Sequence, residues 1–175
     1  MLGDFALIVT TARGNERAMV NEILYLLKDE LGDIQAQAAK TKIRGLIVAK
    51  TFLDPLEVIA KFRAILTERP YAFRYAIRIV PIQRVVVTDL GEIKKVAEEL
   101  AAKIGETQTF RVTVEKRFTE LHSRDIIQAA AGDIKCRVDL HNPDLILQIE
   151  VLGAQTGISL IKPTDILAVV KEKLL

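Results

Sequence analysis

The first half of the chain alternates between the two-residue period of β-strands and the helical period of about 3.6 residues. Its apolar positions predict the order strand, helix, strand, strand, helix, strand. Asp54 and Pro55 have the chemistry of an N-cap and a first helical residue, and Pro70 is a stop signal. The predicted elements are the strand 5–11, the helix 14–32, the strands 33–40 and 43–52, the helix 54–70 and the strand 73–79.

This order of elements, with right-handed crossovers, predicts a ferredoxin-like βαββαβ domain whose antiparallel sheet carries both helices on one face. The last strand, 73–79, alternates strictly in sequence. Its apolar face would carry Phe73, Tyr75, Ile77 and Ile79. The opposite face would carry Arg74 and Arg78, with Gln35 and Gln37 nearby, and would face solvent.

The second half predicts an α/β domain. We place the boundary near Pro81, which cannot donate to a strand ladder, so that the two domains cover residues 1–82 and 83–175. Asp89 caps the next helix, and Ser123 is expected to cap a short one. The predicted elements are the helix 90–105, the strand 109–117, the short helix 123–132, the strands 145–151 and 156–162, and a closing helix begun by Pro163 and Thr164. The fold class is therefore α+β (α/β).

Composition narrows the classes of protein to which this chain can belong. The chain has 175 residues, half of them hydrophobic, which is enough to bury a core. No apolar run approaches the roughly 20 residues of a membrane span, and Asp4 stands where a signal peptide would carry basic residues. We expect a soluble, cytoplasmic protein with no membrane association. Cys136 is the single cysteine, and with His122 and His141 it makes a poor metal set, so neither a metal nor a cofactor is expected.

The net charge of +2 hides a difference between the halves. Residues 1–82 hold 12 Lys and Arg against 9 Asp and Glu, whereas residues 83–175 hold 13 against 14. A polyanionic partner would therefore have to bind a local basic patch. The sequence has no phosphate-binding loop, dinucleotide-binding glycine motif or nucleophile elbow, which weighs against a self-contained enzyme.

The stretch "VDLHNPDLILQIEV" (138–151) combines a turn with a strand. Asn142, Pro143 and Asp144 favour a tight corner, because Asn and Asp side chains bond nearby amides and Pro fixes its own φ. We favour this structural interpretation. The alternative is an unfamiliar catalytic site around Asp139, His141 and Asp144.

Several segments, taken in order, resemble the THUMP-domain proteins. They are "TFRVTVEKR", "SRDIIQAAAG", "VDLHNPDLILQIEV" and "GISLIK", and the NPD turn is a specific family mark. "LIVTTARGNE" is similar to the start of the stand-alone members. One departure is "PTDILAVVKEKLL", which stands where fused relatives often carry a glycine-rich segment.

The resemblance implies a non-catalytic RNA-binding module, most often specific for tRNA, that positions its RNA for another enzyme. Many relatives fuse the module to a catalytic domain, which we do not expect here because the sequence ends one helix after "GISLIKP". It is most similar to the stand-alone group that serves as the adaptor for tRNA N4-acetylcytidine formation. The implied partners are tRNA, through its 3′ end and acceptor stem, and a tRNA acetyltransferase. An alternative from another class is a small-molecule-sensing regulatory domain of ferredoxin-like fold.

The candidate RNA contacts are cations at the ends of the predicted THUMP elements, where we expect them to converge on one rim. They are Lys116, Arg117, Arg124, Lys135, Arg137 and Lys162, with Arg74, Arg78 and Arg84 as a second group. Aromatic residues make up only 5% of the chain, so we expect contacts to the RNA backbone rather than base stacking. Lys116 and Arg117 are both expected to be exposed.

Overall fold

The computed structural model describes residues 2–175 and divides into two compact units. The first unit holds the described residues up to Ile82 together with Asp165–Leu175, and the second holds Gln83–Thr164. The mixed α/β class predicted from the sequence is confirmed. Within the described residues, no helix is long and apolar enough to cross a membrane.

The first unit is a four-stranded antiparallel sheet with two main helices. Its elements are β1 (Leu7–Thr11), α1 (Glu16–Tyr25), β2 (Gln37–Lys40), β3 (Leu46–Lys50), α2 (Pro55–Glu68) and β4 (Ala76–Pro81). The strand order is β2-β3-β1-β4, which is compatible with the predicted ferredoxin-like arrangement.

Local signals account for the helix ends of this unit. Asp54 Oδ1 accepts a hydrogen bond from the amide of Leu56 at 2.8 Å, which satisfies an amide that the helix itself cannot pair. α1 continues into a π-helical turn, Leu26–Glu30, and the chain then reverses at Gly32, where φ is 82°.

Residues on both faces of the first sheet are buried. Leu7 and Val9 of β1 join the core that α1 and α2 cover, through Met19, Ile23 and Phe62 among others. The intervening residues Ile8, Val48 and Val80 are buried as well. The centre of this second face is therefore closed, contrary to expectation, whereas Arg78 is half-buried and Gln37 at the edge is exposed.

The strict alternation expected for 73–79 is also wrong, because the register slips between β1 and β4. Thr10 pairs with Arg78 but Thr11 pairs with Ala76, so Ile77 is an extra residue on β4. The slip reverses the phase of the strand. Ala76 is consequently buried, whereas Ile77 is 39% exposed.

The C-terminal segment packs on the first unit, whereas the sequence analysis assigned it to the second. Leu167 exchanges two backbone hydrogen bonds with Ile79 of β4, at 2.9 and 3.0 Å, and joins the first core with Val169. The expected closing helix does not begin at Pro163. A 3₁₀ turn occupies Pro163–Asp165, and α5 is the short helix Val169–Glu172.

The second unit is a five-stranded mixed sheet in the order β5-β9-β8-β6-β7. β6 runs parallel to both β7 and β8, and β9 runs antiparallel to β8 and β5. The sequence analysis missed β5, a four-residue edge strand inside the segment it took as a domain boundary. The elements are β5 (Arg84–Val87), α3 (Leu90–Ala101), β6 (Thr109–Arg117), α4 (Ser123–Ala131), β7 (Arg137–Val138), β8 (Leu145–Leu152) and β9 (Gln155–Ile161).

The core of the second unit follows the predicted periodicities. Leu147, Ile149 and Val151 of β8 pack with Phe110 of β6 beneath α3 and α4. Asp89 caps α3 as expected, accepting from the amide of Glu92 at 3.0 Å. Ser123 does not cap α4, because it is the first helical residue and His122 occupies the cap position without a side-chain bond.

Candidate nucleic-acid interface

Lys116 and Arg117 lie at the carboxyl end of β6, and their side chains have different environments. Arg117 Nη1 lies 2.7 Å from Oε2 of Glu150, whose side chain is fully buried, and the Arg117 side chain is only 22% exposed. Lys116 is exposed, and its Nζ donates to the carbonyl oxygen of Leu121 at 3.0 Å. Lys116 can therefore meet a ligand, whereas Arg117 neutralises a buried carboxylate.

Arg124 lies at the same end of the sheet, in the first turn of α4. It is exposed and makes no hydrogen bond or ion pair with any described residue. Three exposed carboxylates accompany it and Lys116, namely those of Glu115, Glu120 and Asp125. This end is therefore of mixed charge.

Phe118 follows directly on β6 and is the only described non-glycine residue with a positive φ, 55°. A left-handed backbone is unfavourable for a bulky side chain. Phe118 is also exposed, so burial does not offset that cost. An exposed aromatic ring therefore follows Lys116 by two residues at this end of the sheet.

Lys135, Arg137 and Lys162 lie at the opposite end of the sheet. Arg137 pairs with Thr109, the first residue of β6, and Lys162 follows Ile161, which pairs with Ile146 near the start of β8. The nine residues of β6 separate the two ends by about 26 Å, at 3.3 Å per residue. The expectation that all six cations converge on one rim is therefore wrong.

The described carboxylates at this second end are engaged, unlike the exposed ones at the first end. The side chains of Lys135 and Arg137 are exposed and make no hydrogen bond or ion pair in the described part of the chain. The nearby acids are engaged: Lys94 forms an ion pair with Asp133 and holds the pKa of that carboxyl below its usual value, and Asp139 accepts backbone hydrogen bonds. The two cations are thus left available for an anion.

The corner 139–144 is held by its own polar groups. Asp139 Oδ1 accepts from the amides of Asn142 at 2.9 Å and His141 at 3.0 Å, and these bonds lower the pKa of Asp139. Asp144 Oδ2 accepts from the amide of Thr109 at 2.8 Å, which joins the corner to β6. Pro143 is buried. These contacts agree with the structural interpretation of the NPD turn.

The arginines of the second group have separate surroundings. Arg74 precedes β4 and stacks over the ring of Tyr75, 5.6 Å from its centroid. Arg78 is half-buried within β4. Arg84 begins β5 and forms an exposed ion pair with Glu99 at 2.9 Å. Among residues 2–175, no cluster of His, Cys, Asp and Glu has a metal-binding arrangement.

Sequence reasoning gave no role to five exposed cations of the first unit, which lie in or beside two neighbouring loops. The segments "TTARGNE" and the link around Lys40 and Lys42 contained the signal, but their proximity depends on the strand register. We call these residues the cationic loop cluster: Arg13, Arg17, Lys40, Lys42 and Arg44.

Comparison with known proteins supports the resemblance for the second unit. Residues 87–161 match the THUMP domain family model. An uncharacterized protein of Methanocaldococcus jannaschii is 25% identical over 171 residues, which cover 95% of this chain and 43% of that protein. The chain thus spans less than half the length of this relative.

Two crystal structures share the fold. A protein of Pyrococcus horikoshii Ot3 aligns with a TM-score of 0.61 at 21% identity, over 91% of this chain and 55% of the other. TrmN of Thermus thermophilus aligns with a TM-score of 0.60 at 18% identity, over 90% of this chain and 45% of the other. Together with the family match and the NPD corner, these likenesses lead to one conclusion: the chain contains a THUMP domain, which residues 87–161 form.

Proposed function

We propose that this protein is a non-catalytic RNA-binding protein, selective for tRNA, that positions tRNA for a separate modification enzyme. The observation that carries the proposal is the THUMP domain at residues 87–161, a module that binds RNA in the family the sequence resembles. The modification enzyme we propose is a tRNA cytidine acetyltransferase.

The exposed charges of the second unit support a contact to the RNA backbone. The side chains of Lys135 and Arg137 have no partner among the described residues, and the neighbouring carboxylates are already ion-paired or hydrogen-bonded. Phosphate contacts supply most of the affinity of a positioning module, so this end of the sheet is the first place to test.

The corner 139–144 supports a non-catalytic role. A general acid or base needs a carboxyl group that can reach a substrate proton. The carboxylates of Asp139 and Asp144 instead accept hydrogen bonds from backbone amides of their own corner and of β6. Their geometry is that of turn-forming residues.

Binding can be tested with a tRNA transcript, the same transcript without its 3′ end, and an RNA duplex of similar length. We expect the intact tRNA to bind most tightly in gel-shift titrations. The variant Lys135→Glu with Arg137→Glu should weaken tRNA binding by about tenfold or more and flatten the plot of log affinity against log salt. Lys116→Glu with Arg124→Glu changes the net charge equally and is the matched control, with a smaller expected loss.

Equal affinity for all three RNAs would contradict tRNA selectivity, and no binding to any of them would favour the ligand-sensing alternative. The adaptor role has its own test: adding the protein to a tRNA cytidine acetyltransferase should increase N4-acetylcytidine in tRNA, measured by mass spectrometry of nucleosides. Turnover that requires Asp139, lost in Asp139→Asn, would contradict the non-catalytic role.

A further inference from the structure

We propose that the first unit carries a second contact for the RNA phosphate backbone, made by the cationic loop cluster. The inference rests on the proposed RNA-binding function and adds a site outside the THUMP domain. It concerns the loop between β1 and α1 and the hairpin loop between β2 and β3, residues 12–15 and 41–45.

The strand register brings these two loops into contact. The amide of Thr11 donates to the carbonyl oxygen of Gly45 at 2.9 Å. Gly45 has a φ of 79°, and a Cβ added there would lie 2.8 Å from the carbonyl oxygen of Thr11 and 3.8 Å from Cγ of Arg13. The approach is therefore close enough to need glycine, and it places Arg13 beside the hairpin that carries Lys42 and Arg44.

Glu16 clamps the two loops together. Its Oε2 accepts from the amide of Gly14 and its Oε1 from the amide of Gly45, both at 2.8 Å. The amide of Gly45 is the main cause of a lowered pKa, so the carboxylate is charged at neutral pH. Thr41 stiffens the hairpin further, because its Oγ1 donates to the carbonyl oxygen of Leu46 at 2.8 Å. The loops are thus held in place before any ligand arrives.

The positive charges on this scaffold are largely uncompensated. All five cations are exposed, and none of their side chains makes a hydrogen bond or an ion pair with another described residue. Glu16 is the only acid in the segments 12–17 and 40–45, and both of its oxygens already accept hydrogen bonds. By contrast, Arg63 and Arg69 of the same unit are paired with carboxylates. Five cations against one engaged carboxylate form a local anion-binding surface.

The chemistry of the cluster favours RNA over a membrane surface. Membrane-binding surfaces combine cations with exposed apolar side chains that enter the lipid. Neither loop carries a large exposed hydrophobic residue; those of the first unit, such as Ile34 and Phe52, lie outside both segments. Three of the five cations are arginines, whose planar guanidinium groups can bind phosphate in a bidentate manner.

A pair of charge-matched variants tests the inference. Lys42→Glu with Arg44→Glu alters the cluster, and Lys50→Glu with Lys61→Glu alters two exposed, unpaired lysines elsewhere in the same unit. Both variants have the same net charge. We expect the cluster variant to lose roughly tenfold or more in affinity for a tRNA transcript and to lower the salt slope by about one for each contact removed. The control should stay within about threefold.

Each outcome separates this inference from the proposed function. A wild-type protein that binds no RNA would overturn both. A wild-type protein that binds tRNA, with equal losses in the two variants, would overturn the loop contact alone. Vesicles containing phosphatidylserine provide a second probe: vesicle binding lost in the cluster variant, with tRNA affinity unchanged, would assign the surface to a membrane.

Thermal melts verify that the variants fold. Lys42→Ala with Arg44→Ala should show an intermediate loss of tRNA affinity.

Discussion

At the scale of single residues, Arg117 illustrates how burial decides what a charge does. It lies at the end of β6 opposite Leu152, and its guanidinium reaches Glu150, two residues earlier on β8. Gln148 Nε2 donates to the other carboxylate oxygen of Glu150 at 3.3 Å. A buried carboxylate without such partners would be strongly destabilising. Arg117 is thus part of the folded scaffold.

Replacing Arg117 should therefore destabilise the protein much more than replacing its neighbour. We expect Arg117→Leu to lower the free energy of unfolding by on the order of 3 kcal/mol, because the buried carboxyl group of Glu150 then loses its cation partner. Lys116, the exposed neighbour, provides the control. Lys116→Ala should change the free energy of unfolding by about 0.5 kcal/mol or less. Urea titrations followed by circular dichroism measure both.

Adding Glu150→Gln to Arg117→Leu should recover part of the lost free energy of unfolding, since the buried carboxyl group is then replaced by an uncharged amide. Similar unfolding energies for Arg117→Leu and Lys116→Ala would show that the ion pair does not stabilise the fold.

At the scale of elements, one ion pair links the ends of α1 and α2. Glu30, in the π-helical turn after α1, accepts two hydrogen bonds from Arg69, the residue after α2, both at 2.8 Å. Tyr25 OH donates to the same carboxylate at 2.8 Å. These bonds, with Arg69 the largest cause, lower the pKa of Glu30 from 4.5 to about 2.

The lowered pKa of Glu30 sets a pH window for its contribution to stability. Because the folded state holds the carboxylate ionised, the contribution is present above pH 4.5 and is lost as the pH falls toward about 2. Glu30→Gln should thus melt at a lower temperature than the wild type at pH 7, and the difference should shrink across this window. Thermal melts between pH 7 and 2 test it.

Glu106→Gln is the matched control, because Glu106 is exposed and makes no hydrogen bond or ion pair with a described residue. A melting difference for Glu30→Gln that stayed constant from pH 7 to 2 would contradict the role assigned to the Glu30–Arg69 pair.

At the scale of the whole molecule, the chain passes between the two units twice, after Ile82 and after Thr164. The returning segment, 165–175, completes the core of the first unit. Leu167 and Val169 are fully buried there, and Arg63 Nε lies 2.7 Å from Glu172 Oε1. The first unit is therefore discontinuous in sequence.

Leu167→Ala should weaken the first unit selectively. Removing a fully buried leucine side chain costs about 2–5 kcal/mol, and the loss should fall on the unit whose core contains it. Hydrogen exchange should accelerate in β1 and β4 while the amides of β8 and β9 keep their protection. The exposed Val170, changed to Ala, is the control. Equally accelerated hydrogen exchange in both units would mean that they unfold together. That result would contradict a selective role of Leu167 in the first unit.

The success of the sequence analysis varied with how local each signal was. Asp54 and Asp89 were identified as caps because a cap acts on amides two or three residues away. The buried face of β8 was predicted correctly, because the alternation of apolar and polar residues that defines it lies within a single strand. Ile77 was misassigned because the bulge is a property of β4 paired with β1. β5 was missed because four residues are too few to show a periodicity. Its partner strand β9 lies about 70 residues further along the chain.

The class of elements, the NPD corner and the resemblance to THUMP proteins follow from the sequence, since they depend on residues close together in the chain. What each cation can do depends on the folded arrangement. Folding pairs Arg117 with a carboxylate 33 residues away, separates Lys116 from Arg137 by the length of β6, and brings Arg13 beside Gly45, the residue after Arg44. The physical reason is that burial, strand register and charge pairing arise between segments distant in sequence, which no local pattern of hydrophobic and polar residues specifies.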